Sequence, residues 1–235
     1  VKRQLFALLA ASAAALLAAP ALAQQNVIKV GGIYIDPKGD VPPLQTVPPG
    51  LLGPNATASL SSTATAIFAY ERLLNDNWSL EIAAGLPPKY KLDGAGSLAP
   101  IGELGTLKQY TASLIARYYF LDKDNWVRPH VGAGPAYTRY SASPSSGLQA
   151  QIGPTSASAT DDWGLLAAAG LAFKLSDNWG LDAAFNWLRV STTVTLDAPL
   201  FRVPVGGSLV SLPLRATTDA RVDLYTLSLT LTYRF

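Results

Sequence analysis

The only histidine in the 235-residue chain, His130, is the first candidate for proton-transfer chemistry, and nothing nearby in sequence completes a catalytic set. The chain has no cysteine, which excludes a thiolate nucleophile, a disulfide framework and any Cys-ligated zinc or iron–sulfur site. No G-x-S-x-G elbow occurs, and Gly132-Ala133-Gly134 lacks the strand–turn–helix setting of a phosphate loop. Asp161 and Asp162 are adjacent in a candidate strand, so their carboxylates point to opposite faces and cannot act as a pair. The expectation is no catalytic residue, no cofactor, no metal and no enzymatic activity. What remains is a scatter of single charges, Glu71, Glu81, Arg117, Arg128, His130, Lys174 and Asp182, each embedded in an apolar stretch.

The elements that hold those charges follow from composition and periodicity. Hydrophobic residues make up 49% and charged residues 14% of the chain, against about 25% charged in an ordinary soluble domain. That points to a membrane. Lys2-Arg3, the apolar stretch Leu5 to Ala19 and the small-residue end Ala21-Leu22-Ala23 read as a secretory signal peptide over residues 1–23, with an N-terminal anchor as the alternative. The two basic residues there account for the formal charge of +2. The rest is balanced, and no basic surface is left for nucleic acid.

Beyond residue 23 the longest apolar run is Trp163 to Phe173, far short of the roughly 20 residues of a membrane helix. The pattern has period two instead. Tyr225, Leu227, Leu229, Leu231, Tyr233 and Phe235 alternate with Thr226, Ser228, Thr230, Thr232 and Arg234, a strand with one apolar and one polar face. Similar alternation over Trp78 to Leu86, Tyr110 to Phe120 and Trp179 to Trp187, with weaker copies at Val27 to Ile35, Thr63 to Arg72, Val127 to Tyr140 and Trp163 to Leu175, gives eight strands.

A soluble β-sandwich would alternate too. Two features favour a closed barrel in lipid: aromatic residues at strand ends on the apolar face, and charges on the polar face that a dry sandwich core could not hold without strong pairing. Three short Asn/Asp junctions, each ending at a tryptophan (Trp78, Trp126, Trp179), alternate with four long segments. This order places both ends and the short turns on the periplasmic side and the long loops outside. Pro129 and Pro135 fall inside the fifth strand, and a bulge is expected near Pro135. His130, close to a short turn, lies far from the outer leaflet in which a lipid A-modifying barrel would work.

Arg128-Pro129-His130-Val131-Gly132-Ala133-Gly134, Asp162-Trp163-Gly164, and the terminal Tyr233-Arg234-Phe235 resemble the OmpW family of outer-membrane proteins. The resemblance covers essentially residues 24–235, taken as one barrel domain. It implies an eight-stranded antiparallel barrel in a Gram-negative outer membrane, in contact with lipid and lipopolysaccharide. It further implies a narrow, largely apolar channel for small hydrophobic molecules. Tyr233 and Phe235 are expected to belong to the terminal signal read by the barrel-assembly machinery.

An interior of eight strands is just wide enough for side chains to fill, so the lumen charges are expected to pair with one another. Loops rich in leucine and valine, with Leu200 and Phe201 in the fourth, are expected to capture the ligand, because exposed apolar patches usually mark binding. Inward Ile67, Leu166 and Leu188 continue that apolar route into the barrel. A structural or adhesive barrel with a plugged lumen is the competing reading, followed by a lipid A-modifying enzyme.

Overall fold

The computed structural model describes residues 26–39, 42–53, 55–205 and 208–235; the expected signal peptide and its cleavage point near Ala23 lie outside them. Eight long strands form the barrel wall: β1 (Asn26–Lys38), β2 (Thr63–Leu73), β3 (Trp78–Gly85), β4 (Glu103–Tyr119), β5 (Val127–Pro144), β6 (Asp162–Lys174), β7 (Trp179–Val205) and β8 (Ser208–Arg234). Each pairs antiparallel with the next, and β1 pairs with β8 from Val27↔Arg234 to Lys38↔Asp223, closing the ring. At the seam the Phe235 N–H donates to the Asn26 carbonyl at 2.9 Å and the Asn26 N–H to the Phe235 carbonyl at 3.0 Å. Closure leaves the wall with no free edge.

The periplasmic turns are held by the residues their sequence supplies. Asn75 Oδ1 accepts from the N–H groups of Asn77 (2.9 Å) and Trp78 (2.7 Å), and Ser176 Oγ accepts from the Trp179 N–H (3.1 Å). Such side chains satisfy backbone donors that a tight turn leaves free.

Period two translates directly into faces. Leu227, Leu229 and Leu231 are 60, 58 and 45% exposed on the lipid side, whereas Thr226 and Thr230 on the opposite face are 8 and 6% exposed. Aromatic girdles frame this apolar band. Trp78 with Tyr118 and Trp179 with Tyr233 stand at the periplasmic end, with centroids 5.1 and 4.9 Å apart; Tyr137 with Trp163, 5.1 Å apart, stands at the other. Eight residues separate Tyr118 from Tyr110, about 27 Å of strand, which at a tilt near 40° spans about 21 Å along the membrane normal, a little less than the ~25 Å apolar band of an outer-membrane barrel.

Two expectations need correction. The fourth long loop is not a loop: β7 and β8 continue as a paired ribbon to Val205↔Ser208, with one register shift between Ala198 and Phe201. Nor does β5 bulge at Pro135. Its pairs with β6 run unbroken through Leu165↔Pro135, while on the β4 side pairing stops at Ser113↔Ala136 and resumes at Ala116↔Ala133 in the same register. The missing proline N–H removes a rung without adding a residue.

Outside the membrane the other loops are partly ordered. Gln45–Val47 pairs with β8, Thr57–Leu60 with Lys89–Ala95, Lys89–Ala95 with β4, and Ser156–Ala159 with β7. Helix α1 (Ser146–Ile152) is capped by Ser145 Oγ, which accepts from the Leu148 N–H at 3.0 Å.

Candidate functional site: a stacked lumen with an ion-pair septum

Inward residues divide the barrel axis into three cavities. The outermost, about 140 Å³, is an apolar vestibule. Leu52, Leu98, Leu148 and Ile152 come to it from three loops, and Val190 and Val222 from the upper barrel. Three of the polar side chains along its wall are turned to partners: Gln109 Nε2 donates to Thr111 Oγ1, Thr192 Oγ1 to the Thr160 carbonyl, and Thr218 Oγ1 to the Pro42 carbonyl. Tyr90 is not. It is 1% exposed and its hydroxyl has no hydrogen-bond partner. Burial pushes its phenol pKa up, so it stays protonated.

Below the vestibule, and sharing Gln109 and Leu224 with it, is a middle cavity of about 110 Å³. Ile67, Leu166 and Leu188 line it, as the alternation predicts. Phe201 is also inside, but as a buttress: it packs with Leu148, Ile152, Ala198 and Leu214 behind the vestibule wall. Leu200 is 53% exposed and does not line the vestibule or the middle cavity.

The floor of the middle cavity is an ion cluster, and its centre is a residue that sequence reasoning missed. Lys29 Nζ lies 2.8 Å from Glu71 Oε2, 2.9 Å from Glu81 Oε2 and 2.9 Å from Asp182 Oδ2. Arg117 Nη2 donates to Glu81 Oε1 at 2.7 Å. Tyr119 donates to Glu71 at 2.7 Å, and Ser79 also bonds that carboxylate. His130 is wedged between Arg117 Nη1, 3.1 Å from Nδ1, and Asp182 Oδ2, 3.3 Å from Nε2. A guanidinium only donates, so Nδ1 must accept and Nε2 carries the hydrogen toward Asp182. Both ring nitrogens are committed to neighbours.

The expected pairing of lumen charges is therefore seen for Glu71, Glu81, Arg117, His130 and Asp182. Arg128 belongs to the lumen but not to the cluster. It donates to the carbonyls of Leu121 (3.0 Å) and Asp76 and lies 4.2 Å over the Tyr119 ring, tying two periplasmic turns together. Lys174 also stands apart from the cluster: it lines the lower cavity at the periplasmic mouth, exposed, and pairs with Asp177 at 3.1 Å. Asp161 and Asp162 are separate, as their adjacency predicts. Asp161 accepts from the Tyr137 hydroxyl and Asp162 from the Ser191 N–H.

Beneath the cluster a third cavity of about 50 Å³ opens to the periplasmic mouth. The middle and lower cavities share two lining residues, Lys29 and Asp182. One layer of ion-paired side chains therefore separates the apolar half of the lumen from the periplasm.

A closed eight-stranded ring with lipid-facing leucines, two girdles and short periplasmic turns defines an outer-membrane β-barrel. The OmpW family model matches residues 25–235. The chain belongs to the OmpW family and resides in the Gram-negative outer membrane. It is 32% identical over 127 residues to outer membrane protein W of Vibrio cholerae, a match covering 54% of this chain and 58% of that protein. A second relative, the dibenzothiophene metabolism operon protein PahQ of Pseudomonas aeruginosa, is 36% identical over 86 residues, 37% of this chain and 40% of that one. The crystal structure of OprG from Pseudomonas aeruginosa superposes with a TM-score of 0.78 at 22% identity, covering 91% of this chain and 96% of that one. That likeness bears on the fold.

Proposed function

We propose that this barrel is a non-enzymatic conduit that takes small apolar molecules from the exterior into its vestibule and releases them before the ion-pair septum. The vestibule carries the reading: about 140 Å³ of space, walled by aliphatic side chains from three loops and the upper barrel. Bare apolar surface of that kind is stabilised by an apolar occupant, and a polar solute would lose its hydration there without recovering hydrogen bonds. The name of the PahQ relative, which places that protein in dibenzothiophene metabolism, is in keeping with such an occupant.

The septum decides the exit. An apolar molecule passing along the axis would have to part Lys29 from Asp182 and from two glutamates. Just outward of the cluster the wall loses rungs: pairing between β4 and β5 lapses at Leu114-Ile115 opposite Gly134-Pro135, and Ile115 lines the middle cavity. Escape there leads into the bilayer, where an apolar molecule is soluble.

The competing reading, a structural barrel with a plugged lumen, draws on the same ion cluster. Leu166→Asp/Leu188→Asp separates the two. Carboxylates in the middle cavity raise the cost of holding an apolar solute there, so uptake of naphthalene or dibenzothiophene into liposomes should fall while circular dichroism stays that of a barrel. Undiminished uptake by a folded double variant, or no uptake by the parent, removes the conduit.

A further inference from the structure

Three cations cluster on the lipid-facing side of the upper barrel. Lys89 on the rim strand pairs directly with Lys108 of β4, and Arg139 of β5 stands opposite Tyr110, one rung diagonally from Lys108. Like charges directly opposed across a ladder destabilise it, so this arrangement costs energy unless an anion is present.

Three other cations at this rim are answered by acids. Lys38 lies 3.0 Å from Asp36, Arg189 2.8 Å from Asp223, and Arg215 2.7 Å from Asp197. Lys89, Lys108 and Arg139 make no ion pair among the described residues. Asp161, just ahead of β6, is turned to the Tyr137 hydroxyl at 2.9 Å. Asp93 and Glu103, opposed to each other, lie further from the membrane beyond Lys91.

The level of the cluster names its occupant. Along β4 Tyr110 lies membrane-ward of Lys108, and along β5 Tyr137, paired with Trp163, lies membrane-ward of Arg139; these rings belong to the outer aromatic girdle. Aromatic side chains sit where acyl chains give way to headgroups, so the next rung outward meets the headgroup itself. In the outer leaflet of this membrane that is a phosphorylated sugar. Lysine and arginine attract such anions at the surface, and arginine can chelate phosphate with two parallel bonds.

We infer that Lys89, Lys108 and Arg139 form a site for a phosphate group of lipid A, holding one lipopolysaccharide molecule against the β4–β5 face. The test uses the purified full barrel in detergent, titrated with bisphosphorylated lipid A, dephosphorylated lipid A, phosphatidylglycerol or inorganic phosphate. Co-purified lipid and the temperature of the heat-modifiable gel shift are read. Phosphorylated lipid A should raise the transition temperature, and Lys89→Ala/Lys108→Ala should raise its half-saturating concentration about tenfold or more. Lys123→Ala, at the periplasmic rim, should leave it unchanged. Lys108→Arg should retain binding, which guards against a folding defect as the cause. Equal response of parent and double variant overturns the site. An equal effect of phosphatidylglycerol or inorganic phosphate overturns the assignment to lipid A, and an effect of dephosphorylated lipid A that equals the phosphorylated form removes the phosphate from the argument.

Discussion

Lys29 and Asp182, 153 residues apart in sequence, meet at 2.9 Å in the barrel axis and together close the lumen between its apolar and its periplasmic halves. Lys29 also serves Glu71 and Glu81. Removing it leaves three buried carboxylates with only Arg117 to answer them. Breaking one buried pair typically costs 3 to 5 kcal/mol, so Lys29→Met should lower stability by about that much or more. Asp182→Asn, which keeps a hydrogen-bonding side chain beside His130, should cost less. Unfolding followed by tryptophan fluorescence in detergent or lipid orders the two. Where either variant folds, planar-bilayer conductance should rise above that of the parent.

The face assignment is open to the same kind of test. Leu229 is 58% exposed toward lipid and Thr230 6% exposed toward the lumen, beside Asp182. Leu229→Arg puts a charge at mid-bilayer, at a cost of about 2 to 4 kcal/mol. Thr230→Arg is crowded, but it brings a cation to a cluster with an excess of carboxylates, so its cost should be smaller. Reversible unfolding measures both, and the reverse order would mean that the register of β8 is shifted by one.

How far this barrel was legible before its structure depended on the faces differing. Where they do, as in β4 and β8, alternation alone placed Arg117, Leu229 and Thr230 correctly. In β1 the inward row is Val27, Lys29, Gly31, Ile33 and Ile35 and the outward row Ile28, Val30, Gly32 and Tyr34. Both rows are apolar apart from Lys29, and the central lysine went unseen. The signal available was its singularity: one cation in an apolar strand, in a chain with carboxylates on other inward rows. The ribbon of β7 and β8 was hidden by Pro199, Pro204 and Pro213, which read as loop. Beyond the membrane a two-stranded ribbon has open edges that accommodate proline, and the dipeptide Gly206-Gly207 is itself a hairpin signal. Pairing across the lumen and the division into cavities depend on contacts between strands distant in sequence, which no local pattern encodes.

Gly134 and Gly32 make a contrasting pair. A Cβ built on Gly134 would collide with the Leu114 carbonyl oxygen, whereas one on Gly32 would meet nothing within 4 Å. The close approach belongs to the stretch where β4 and β5 lack rungs. Gly134→Ala must push the two backbones apart, which should cost about 1 to 3 kcal/mol. Gly32→Ala should be neutral or slightly stabilising, because it removes backbone freedom from the unfolded chain without a clash. Denaturant midpoints of the two variants decide it; equal midpoints would deny the close approach.

Tyr90 carries a buried hydroxyl with no partner in an apolar wall. A buried donor left unmade costs about 1 to 3 kcal/mol, and phenylalanine keeps the ring without that cost. Tyr90→Phe should therefore unfold at a higher denaturant concentration than the parent. A lower midpoint would mean that the hydroxyl finds a partner in the folded barrel.

Phe235 separates folding from assembly. Its ring is 57% exposed on the lipid side, near Tyr233 at 6.3 Å, while its backbone closes the seam with Asn26. Phe235→Ala keeps the seam bonds and loses only part of one ring's burial, about 1 kcal/mol on the scale of a few buried methylenes. Refolding of the purified variant into detergent should thus be close to that of the parent. If the terminal aromatic is read by the barrel-assembly machinery, the amount reaching the outer membrane in cells should fall severalfold despite that small cost. Heat-modifiable mobility scores the refolded protein and membrane fractionation the cells. Matching losses in the two would assign Phe235 to barrel stability alone, and unchanged yield in cells would remove it from the signal.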